Sequence, residues 1–255
     1  MKELMKVLVV CKHPRGSHEA EVCRLINHDG FRVIYSWKNS LTSRELNDID
    51  LVISIGGDGT VLSASHYLVD KPILAVNSSP GKSEGALTTI NVEDLERKLE
   101  EIKKGNYETE KLERIEIKVD GKKKNILALN EVFVASEKAY LVSKYKLKFG
   151  GKEEEQRSSG IIFSTGTGST AWFRSAGGKP FRADEKFIKF VVREPYFGRL
   201  GKFSVVDGAV KEGEKVEVVC ESDSVLAVDS IREFKLRNGE RVEVWISAHP
   251  LLRIK

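Results

Sequence analysis

Over the first hundred positions, short runs of apolar residues alternate with segments whose apolar residues recur at helical spacing. Residues 6–10, 31–35, 51–55 and 72–76 read as four strands. Between the first two, residues 18–28 carry Val22, Cys23, Leu25 and Ile26 at helical spacing, and Asp29-Gly30 marks a turn. Residues 61–68 form an apolar, helix-like stretch directly after a glycine-rich turn. Further on, Val92, Leu95, Leu99 and Ile102 fall on one helical face, with Asn91 as its cap and Gly105 as its stop. Alternating strand and helix predicts an α/β domain built on a Rossmann-like parallel sheet.

After about Gly105 the pattern changes. Residues 112–119, 127–135, 145–149, 161–164, 187–192, 216–220, 225–228, 232–236 and 242–247 are short and rich in β-formers. Asp120-Gly121 and Asn238-Gly239 supply turns between them. A β-rich, β-sandwich-like second domain is expected over residues 108–246, after an α/β domain over 1–107. The C-terminal segment 247–255 is a candidate to pack back on the first domain.

Composition narrows the possibilities. The chain has 255 residues, 40% hydrophobic and 31% charged, which suits a soluble globular protein of one large or two moderate domains. Its net charge of +4 is mildly basic and fits an anionic small-molecule substrate about as well as it fits nothing in particular. Lys122-Lys123-Lys124 reads as a solvated hairpin turn, and no cluster of basic and aromatic residues points to nucleic acid. No apolar run is long enough to span a membrane. A strand begins almost at the N-terminus, so no leader segment is read. The three cysteines, Cys11, Cys23 and Cys220, are odd in number and lack CxxC spacing. Neither a disulfide framework nor structural zinc is indicated, and a reducing cytoplasm is the simplest setting. Cys11, His13 and His18 lie close in sequence, but Cys11 ends a strand and 12–17 has the texture of a βα loop. No protein-bound metal is expected.

Two segments carry candidate chemistry. The first is Gly56-Gly57-Asp58-Gly59-Thr60, between the third strand and an apolar helix-like stretch. Strand, glycine turn and helix present bare backbone N–H groups to a phosphate. Asp58 would sit beside that anion, where it could orient a hydroxyl or hold a metal. A plain βα connection with a solvated Asp is the alternative, but it needs one glycine rather than three. The second segment runs from Ser158 through Gly160, Thr165, Gly166, Thr167, Gly168, Ser169, Thr170 and Ala171 to Trp172, and on to Ser175-Ala176-Gly177-Gly178. Small residues and hydroxyls let a ligand lie flat against the chain. A turn capping a helix at Ser169 or Thr170 is the structural alternative, and it is compatible with binding.

Together the two segments resemble the NAD kinase family. The resemblance rests on the 56–60 loop, Asn130-Glu131, the run Thr167-Gly168-Ser169-Thr170-Ala171, Ser175-Ala176-Gly177-Gly178 and the ending Ser247-Ala248-His249-Pro250-Leu251. These follow one another in the family's order over most of the chain. Ser83-Glu84-Gly85, Ser158-Ser159-Gly160 and Thr165–Ser169 look most like the branch containing mitochondrial-type NAD kinases. Three positions depart from the family pattern. Gly85-Ala86 stands for Gly-Phe, Ser159 for an acidic residue, and Asp229-Ser230 for Asp-Gly.

The resemblance implies ATP- and Mg²⁺-dependent phosphorylation of the 2′-hydroxyl of the adenosine ribose of NAD, giving NADP. It implies that Asp58 faces that hydroxyl and that Gly56, Gly57, Gly59 and Thr60 form the nucleotide loop. Asn130, Glu131, Thr167, Thr170 and Ala171 would line the dinucleotide pocket, with Ser159 and Ser169 beside them. Arg157 would meet phosphate, and Trp172 would stack where a Tyr is usual. Mg²⁺ would arrive on the ATP phosphates. A carboxylate of ordinary pKa, about 4, is a poor base for a ribose hydroxyl, so Asp58 is expected to orient it and take its proton late. A homodimer or homotetramer is expected through the β-rich part. Two rival readings are a lipid kinase of the diacylglycerol or sphingosine type, which shares the glycine loop, and a non-catalytic dinucleotide-binding protein.

Overall fold

The computed structural model describes residues 4–12, 22, 25–26, 30–81, 84–198 and 204–255. The chain divides into two compact units, residues 1–112 with 250–255, and residues 113–249.

The first unit is built on β1 (Lys6–Cys11), β2 (Arg32–Trp37), β3 (Leu51–Gly56), β4 (Pro72–Asn77), β5 (Ile90–Asn91) and β6 (Thr109–Leu112). The sheet runs β2-β1-β3-β4, continues through the closing strand Leu251–Ile254 and ends on β6, with β5 beside β4. Strands β1 to β4 are parallel to their neighbours, and Leu251–Ile254 is parallel to β4 but antiparallel to β6. Thr109–Leu112, which the sequence assigns to the second domain over 108–246, is instead an edge of the first sheet. All six residues of β3 are buried, as expected of a central parallel strand covered on both faces.

Helix α1 (Asp58–Ser65) follows β3 at once. It begins three residues earlier than its apolar stretch predicts, because the glycine turn itself supplies the first helical turn. Six of its eight residues are buried, and Ser63 and Ser65 return their hydroxyls to the carbonyls of Gly59 and Leu62. Helix α2 (Leu95–Lys103), preceded by a 3₁₀ turn at Val92–Asp94, buries Leu95, Leu99 and Ile102 against the sheet. Asn91 precedes that turn without a side-chain cap, and Gly105, at φ +73°, stops the helix as expected. Of the helix expected at 18–28, Val22, Leu25 and Ile26 are helical, and Val22 and Ile26 are buried. His13, His18, Cys23, Ser83 and the rest of the 12–17 loop and of that helix, beyond Lys12, lie outside the described residues.

The second unit is made of two six-stranded antiparallel sheets. Its strands are β7 (Ile115–Val119), β8 (Lys122–Lys123), β9 (Glu131–Ser136), β10 (Ser143–Phe149), β11 (Lys152–Ser158), β12 (Ile161–Ser164), β13 (Phe187–Val192), β14 (Asp207–Lys211), β15 (Val216–Cys220), β16 (Ser224–Val228), β17 (Arg232–Leu236) and β18 (Arg241–Ile246). One sheet runs β11-β10-β15-β18-β7-β8 and the other β14-β13-β12-β9-β16-β17. Burial alternates strictly along β13, β15 and β16, so each sheet turns one apolar face inward. The inner faces meet where Phe149 of β10 packs edge-on against Phe190 of β13, ring centroids 5.1 Å apart. Gly208 lies under both rings, where a Cβ would come within 2.6 Å of Phe190 and 2.8 Å of Phe149. The Asp120-Gly121 turn is present, at φ +45° and +76°, but Lys122 and Lys123 belong to the returning strand β8 rather than to the turn.

Candidate active site

In the first unit the glycine loop stands at the carboxyl end of β3, where open parallel sheets bind ligands. Gly57 is the N-cap of α1, and the N–H groups of Thr60 and Val61 close back on its carbonyl at 2.9 and 3.4 Å. A Cβ at Gly56 would lie 2.3 Å from the Thr60 hydroxyl, so close packing within the loop requires that glycine. At Gly59 a Cβ would meet nothing within 4 Å. The protein alone therefore does not demand glycine there.

Asp58 is the first residue of α1, where the helix dipole favours a negative charge. Its carboxylate accepts the N–H of Leu87 at 2.8 Å and that of Ala86 at 3.2 Å. The carbonyl of Leu87 in turn accepts from Arg253 Nη1 at 3.0 Å, and Arg253 is pinned by two hydrogen bonds to Glu110 Oε1, at 3.0 and 2.8 Å. Arg253 has no sequence signal beyond its place in the strand Leu251–Ile254, and was not anticipated.

In the second unit Asn130 and Glu131 enter β9, and the small-residue segment follows β12. These strands pair, with Ser164 opposite Glu131. The two backbones touch: Thr165 donates its N–H to the Asn130 carbonyl at 3.0 Å, and a Cβ at Gly168 would lie 2.3 Å from that oxygen. Thr165 Oγ1 also accepts from the Gly168 N–H at 3.1 Å, which fixes the turn that follows. Residues Thr167–Thr170 form a 3₁₀ turn, and Ala171 caps the short helix α3 (Trp172–Ser175). Ser169 and Thr170 are thus not the cap. The Ser169 hydroxyl is buried and committed, accepting from the Phe181 N–H at 3.1 Å and donating to the Gly166 carbonyl at 2.7 Å. Thr170 and Ala171 are exposed.

Two polar atoms here, Asn130 Oδ1 and Thr167 Oγ1, are buried and have no hydrogen-bond partner. Such atoms are costly unless something completes them.

Asp229 organises the neighbourhood. Its carboxylate accepts three consecutive main-chain N–H groups, from Leu129, Asn130 and Glu131, at 2.8, 2.8 and 2.9 Å. In the sequence Asp229-Ser230 registers only as a departure from the family pattern. Glu131 is buried, and burial together with the charge of Asp229 pushes its carboxyl up to about 7, while a hydrogen bond from Ser230 works in the opposite direction.

Trp172 packs on Phe133 of β9 with ring centroids 4.7 Å apart, and the Arg193 guanidinium lies over both rings at 5.5 and 5.6 Å. Ser159 sits beside this group, bonded through its hydroxyl to Glu194 and through its N–H to the Arg193 carbonyl. Arg157 lies on the edge strand β11 with its side chain exposed. Its own side chain makes no hydrogen bond or ion pair among the described residues. Cys11 and Cys220 are buried and neither is in a disulfide, burial lifting the Cys220 thiol to about 11. Among the described residues no group of three His, Cys, Asp or Glu could hold a metal ion. Nor, among them, is any helix long and apolar enough to cross a membrane.

Comparison with known proteins agrees with this layout. Residues 6–107 match the ATP-NAD kinase N-terminal domain and residues 129–255 the ATP-NAD kinase C-terminal domain. A probable NADH kinase of rice, Oryza sativa subsp. japonica, is 30% identical over 236 residues, which cover 83% of this chain and 72% of the rice protein. An NAD kinase of Chlorobium phaeobacteroides (strain DSM 266) is 36% identical over 138 residues, covering 52% of this chain and 47% of that protein. The crystal structure of an NAD kinase from Archaeoglobus fulgidus in complex with ATP superposes with a TM-score of 0.78 at 26% identity, covering 98% of this chain and 94% of that one. With both family domains matched in order and the architecture shared from end to end, the chain belongs to the ATP-NAD kinase family and is a phosphotransferase.

Proposed function

We propose that this chain transfers the γ-phosphoryl group of ATP to the 2′-hydroxyl of the adenosine ribose of NAD, giving NADP. The observation that carries the reading is the pair of buried, unpartnered acceptors Asn130 Oδ1 and Thr167 Oγ1, set beside Glu131 on a segment of small residues. A flat polar ligand bearing hydroxyl and amine donors would complete them. The archaeal relative was crystallised with ATP, which supports ATP as the donor.

In this reading Asp58 orients the acceptor hydroxyl. A carboxylate offers about four lone-pair sites, and the amides of Ala86 and Leu87 occupy two. The remaining sites can accept the ribose O–H and take its proton as the bond to phosphorus forms. The N–H groups of Asp58 and Gly59 at the start of α1, with the open side of Gly59, receive phosphate oxygens. Mg²⁺ enters with ATP as part of the substrate and neutralises charge on the phosphates, the main requirement of phosphoryl transfer. Glu131, when ionised, accepts hydroxyl donors of the dinucleotide, and the Trp172–Phe133 pair offers a ring surface. Arg157, exposed and uncommitted, is suited to a phosphate.

A second reading makes NADH the preferred acceptor. The rice relative is named a probable NADH kinase, and Ala86 and Ser159 depart from the usual pattern at positions expected to touch the base. The test is one assay with purified protein, ATP and Mg²⁺, offering NAD and NADH in parallel and reading the 2′-phosphorylated product directly. Turnover of neither, with retained dinucleotide binding, would instead mean a binding protein. The proposal places the enzyme in the cytoplasm as a homodimer or homotetramer through the β-rich unit. Light scattering checks the assembly: a mass near 28.6 kDa at micromolar concentration would exclude it.

A further inference from the structure

Ser230 occupies a backbone conformation that side chains rarely adopt, with φ +55°, directly after Asp229 at φ +49°. Two consecutive left-handed residues, neither of them glycine, are uncommon. Glycine would adopt the second position without strain. What serine adds is a hydroxyl, and that hydroxyl donates to Glu131 Oε1 at 3.2 Å.

The turn acts on Glu131 from both sides. Asp229 holds the Glu131 N–H at 2.9 Å, and the Asp229 N–H donates to the Glu131 carbonyl, also at 2.9 Å. The main chain of Glu131 is thereby locked to the turn, and Ser230 then fixes one oxygen of the side chain. Strand β12 contributes only the neutral Ser164 opposite it. Among the described residues, Asp229 is the charge that acts on this carboxyl.

We infer that Ser230 is a positioning residue for the dinucleotide, its hydroxyl holding the Glu131 carboxylate in the orientation offered to the ligand's hydroxyl groups. The inference rests on the reading of Glu131 as a dinucleotide contact. It assigns a reason for a serine at a position whose backbone favours glycine: orientation of a buried carboxylate is obtained at the expense of backbone strain.

Ser230→Gly removes the hydroxyl while relieving the backbone, so loss of function cannot be ascribed to loss of folding. The expected result is a KM for NAD raised roughly three- to tenfold, the range for one lost hydrogen bond. The KM for ATP and kcat should stay within about twofold, by the same measure, and Tm should be unchanged or higher. Ser230→Ala, which keeps the strain, should raise the KM for NAD equally while lowering Tm. Glu131→Ala should raise the KM for NAD more, and adding Ser230→Gly to it should change nothing further. The Glu131 carboxyl, followed by NMR, should titrate at higher pH in Ser230→Gly, because the lost donor favoured its ionised form. If Glu131→Ala raises the KM for NAD and Ser230→Gly does not, the positioning role is wrong and the reading of Glu131 stands. Multiplying effects in the double variant would also overturn it. If Glu131→Ala leaves the KM unchanged, the reading of Glu131 itself falls, and the role of Ser230 with it.

Discussion

Asp58 and Leu87 are joined by a hydrogen bond of 2.8 Å from the Leu87 N–H to the Asp58 carboxylate, and the Leu87 carbonyl is held by Arg253 at 3.0 Å. One peptide strip is thus clipped between the first residue of α1 and the last strand of the chain. The same carboxylate is the group proposed to meet the acceptor hydroxyl, so its orientation is set before any substrate arrives. Preorganisation of this kind is what phosphoryl transfer asks of a protein.

Asp58→Asn should therefore keep NAD binding and lose most turnover. An amide can still accept one of the two N–H groups but turns its own NH₂ toward the other, and it cannot take a proton. A fall in kcat of ~10²–10⁴-fold is expected, the usual worth of general acid–base help. The dissociation constant for NAD, measured calorimetrically, should move far less. Turnover within a few-fold of the parent enzyme would remove Asp58 from the chemistry.

Asp229 should matter first for stability. It is buried, and Asp229→Ala would leave the N–H groups of Leu129, Asn130 and Glu131 without their acceptor. Each buried donor left unpaired costs about 1–3 kcal/mol, so a loss of at least about 2 kcal/mol is expected after local relaxation. Denaturant unfolding of the variant would show it as a lowered midpoint at unchanged slope. A variant as stable as the parent would mean that the three bonds are replaced by others.

The protonation of Glu131 gives a pH signature with a definite sign. Its carboxyl titrates near 7 in the fold against an ordinary 4.5. Between those values the folded chain keeps a proton that the unfolded chain has released. The stabilising contribution is full below about 4.5, falls as pH rises, and is gone above about 7. Binding runs the other way, because the ionised carboxylate is the better acceptor for ligand hydroxyls. The profile of kcat/KM for NAD should rise through an apparent pKa near 7, and Glu131→Gln should flatten that limb. An identical profile in the variant would assign the limb to another group.

The expected α/β-plus-β layout was legible because its signals are local: apolar runs bounded by glycine, one helical face at Leu95, Leu99 and Ile102, and short runs rich in β-formers such as β13, β15 and β16. Of the strands that escaped, two did so for a clear physical reason. β11 reads Lys-Glu-Glu-Glu-Gln-Arg-Ser and pairs only with β10, through backbone bonds and charge pairs such as Lys148–Glu153 at 3.3 Å. An edge strand facing water needs no apolar pattern. β14 carries Gly208, chosen for the two rings above it rather than for strand propensity. Of the candidate residues in the two units, Asp58 and Asn130-Glu131 were visible as motifs, whereas Asp229 and Arg253 act across 98–100 and 166 residues of chain. No local pattern records such partners. Ser169, predicted as a ligand contact, spends its hydroxyl on the Gly166 and Phe181 backbone, a commitment that only the folded turn reveals.

Two neighbouring positions in the small-residue segment separate binding from folding. Ala171 is exposed, so Ala171→Leu adds bulk on the open side of the turn and should cost folding little. Gly168 is buried, and a Cβ there would come within 2.3 Å of the Asn130 carbonyl oxygen, a main-chain atom that can yield only by moving β9. Gly168→Ala should therefore lower Tm and displace Asn130 together with Glu131, weakening NAD and stability at once. Ala171→Leu should instead raise the KM for NAD several-fold or more while leaving the KM for ATP and Tm near parental values, the signature of an obstructed ligand surface rather than a strained core. Equal effects of Ala171→Leu on both substrates, or a Tm that falls as far as in Gly168→Ala, would mean that Ala171 serves packing and that the dinucleotide lies elsewhere.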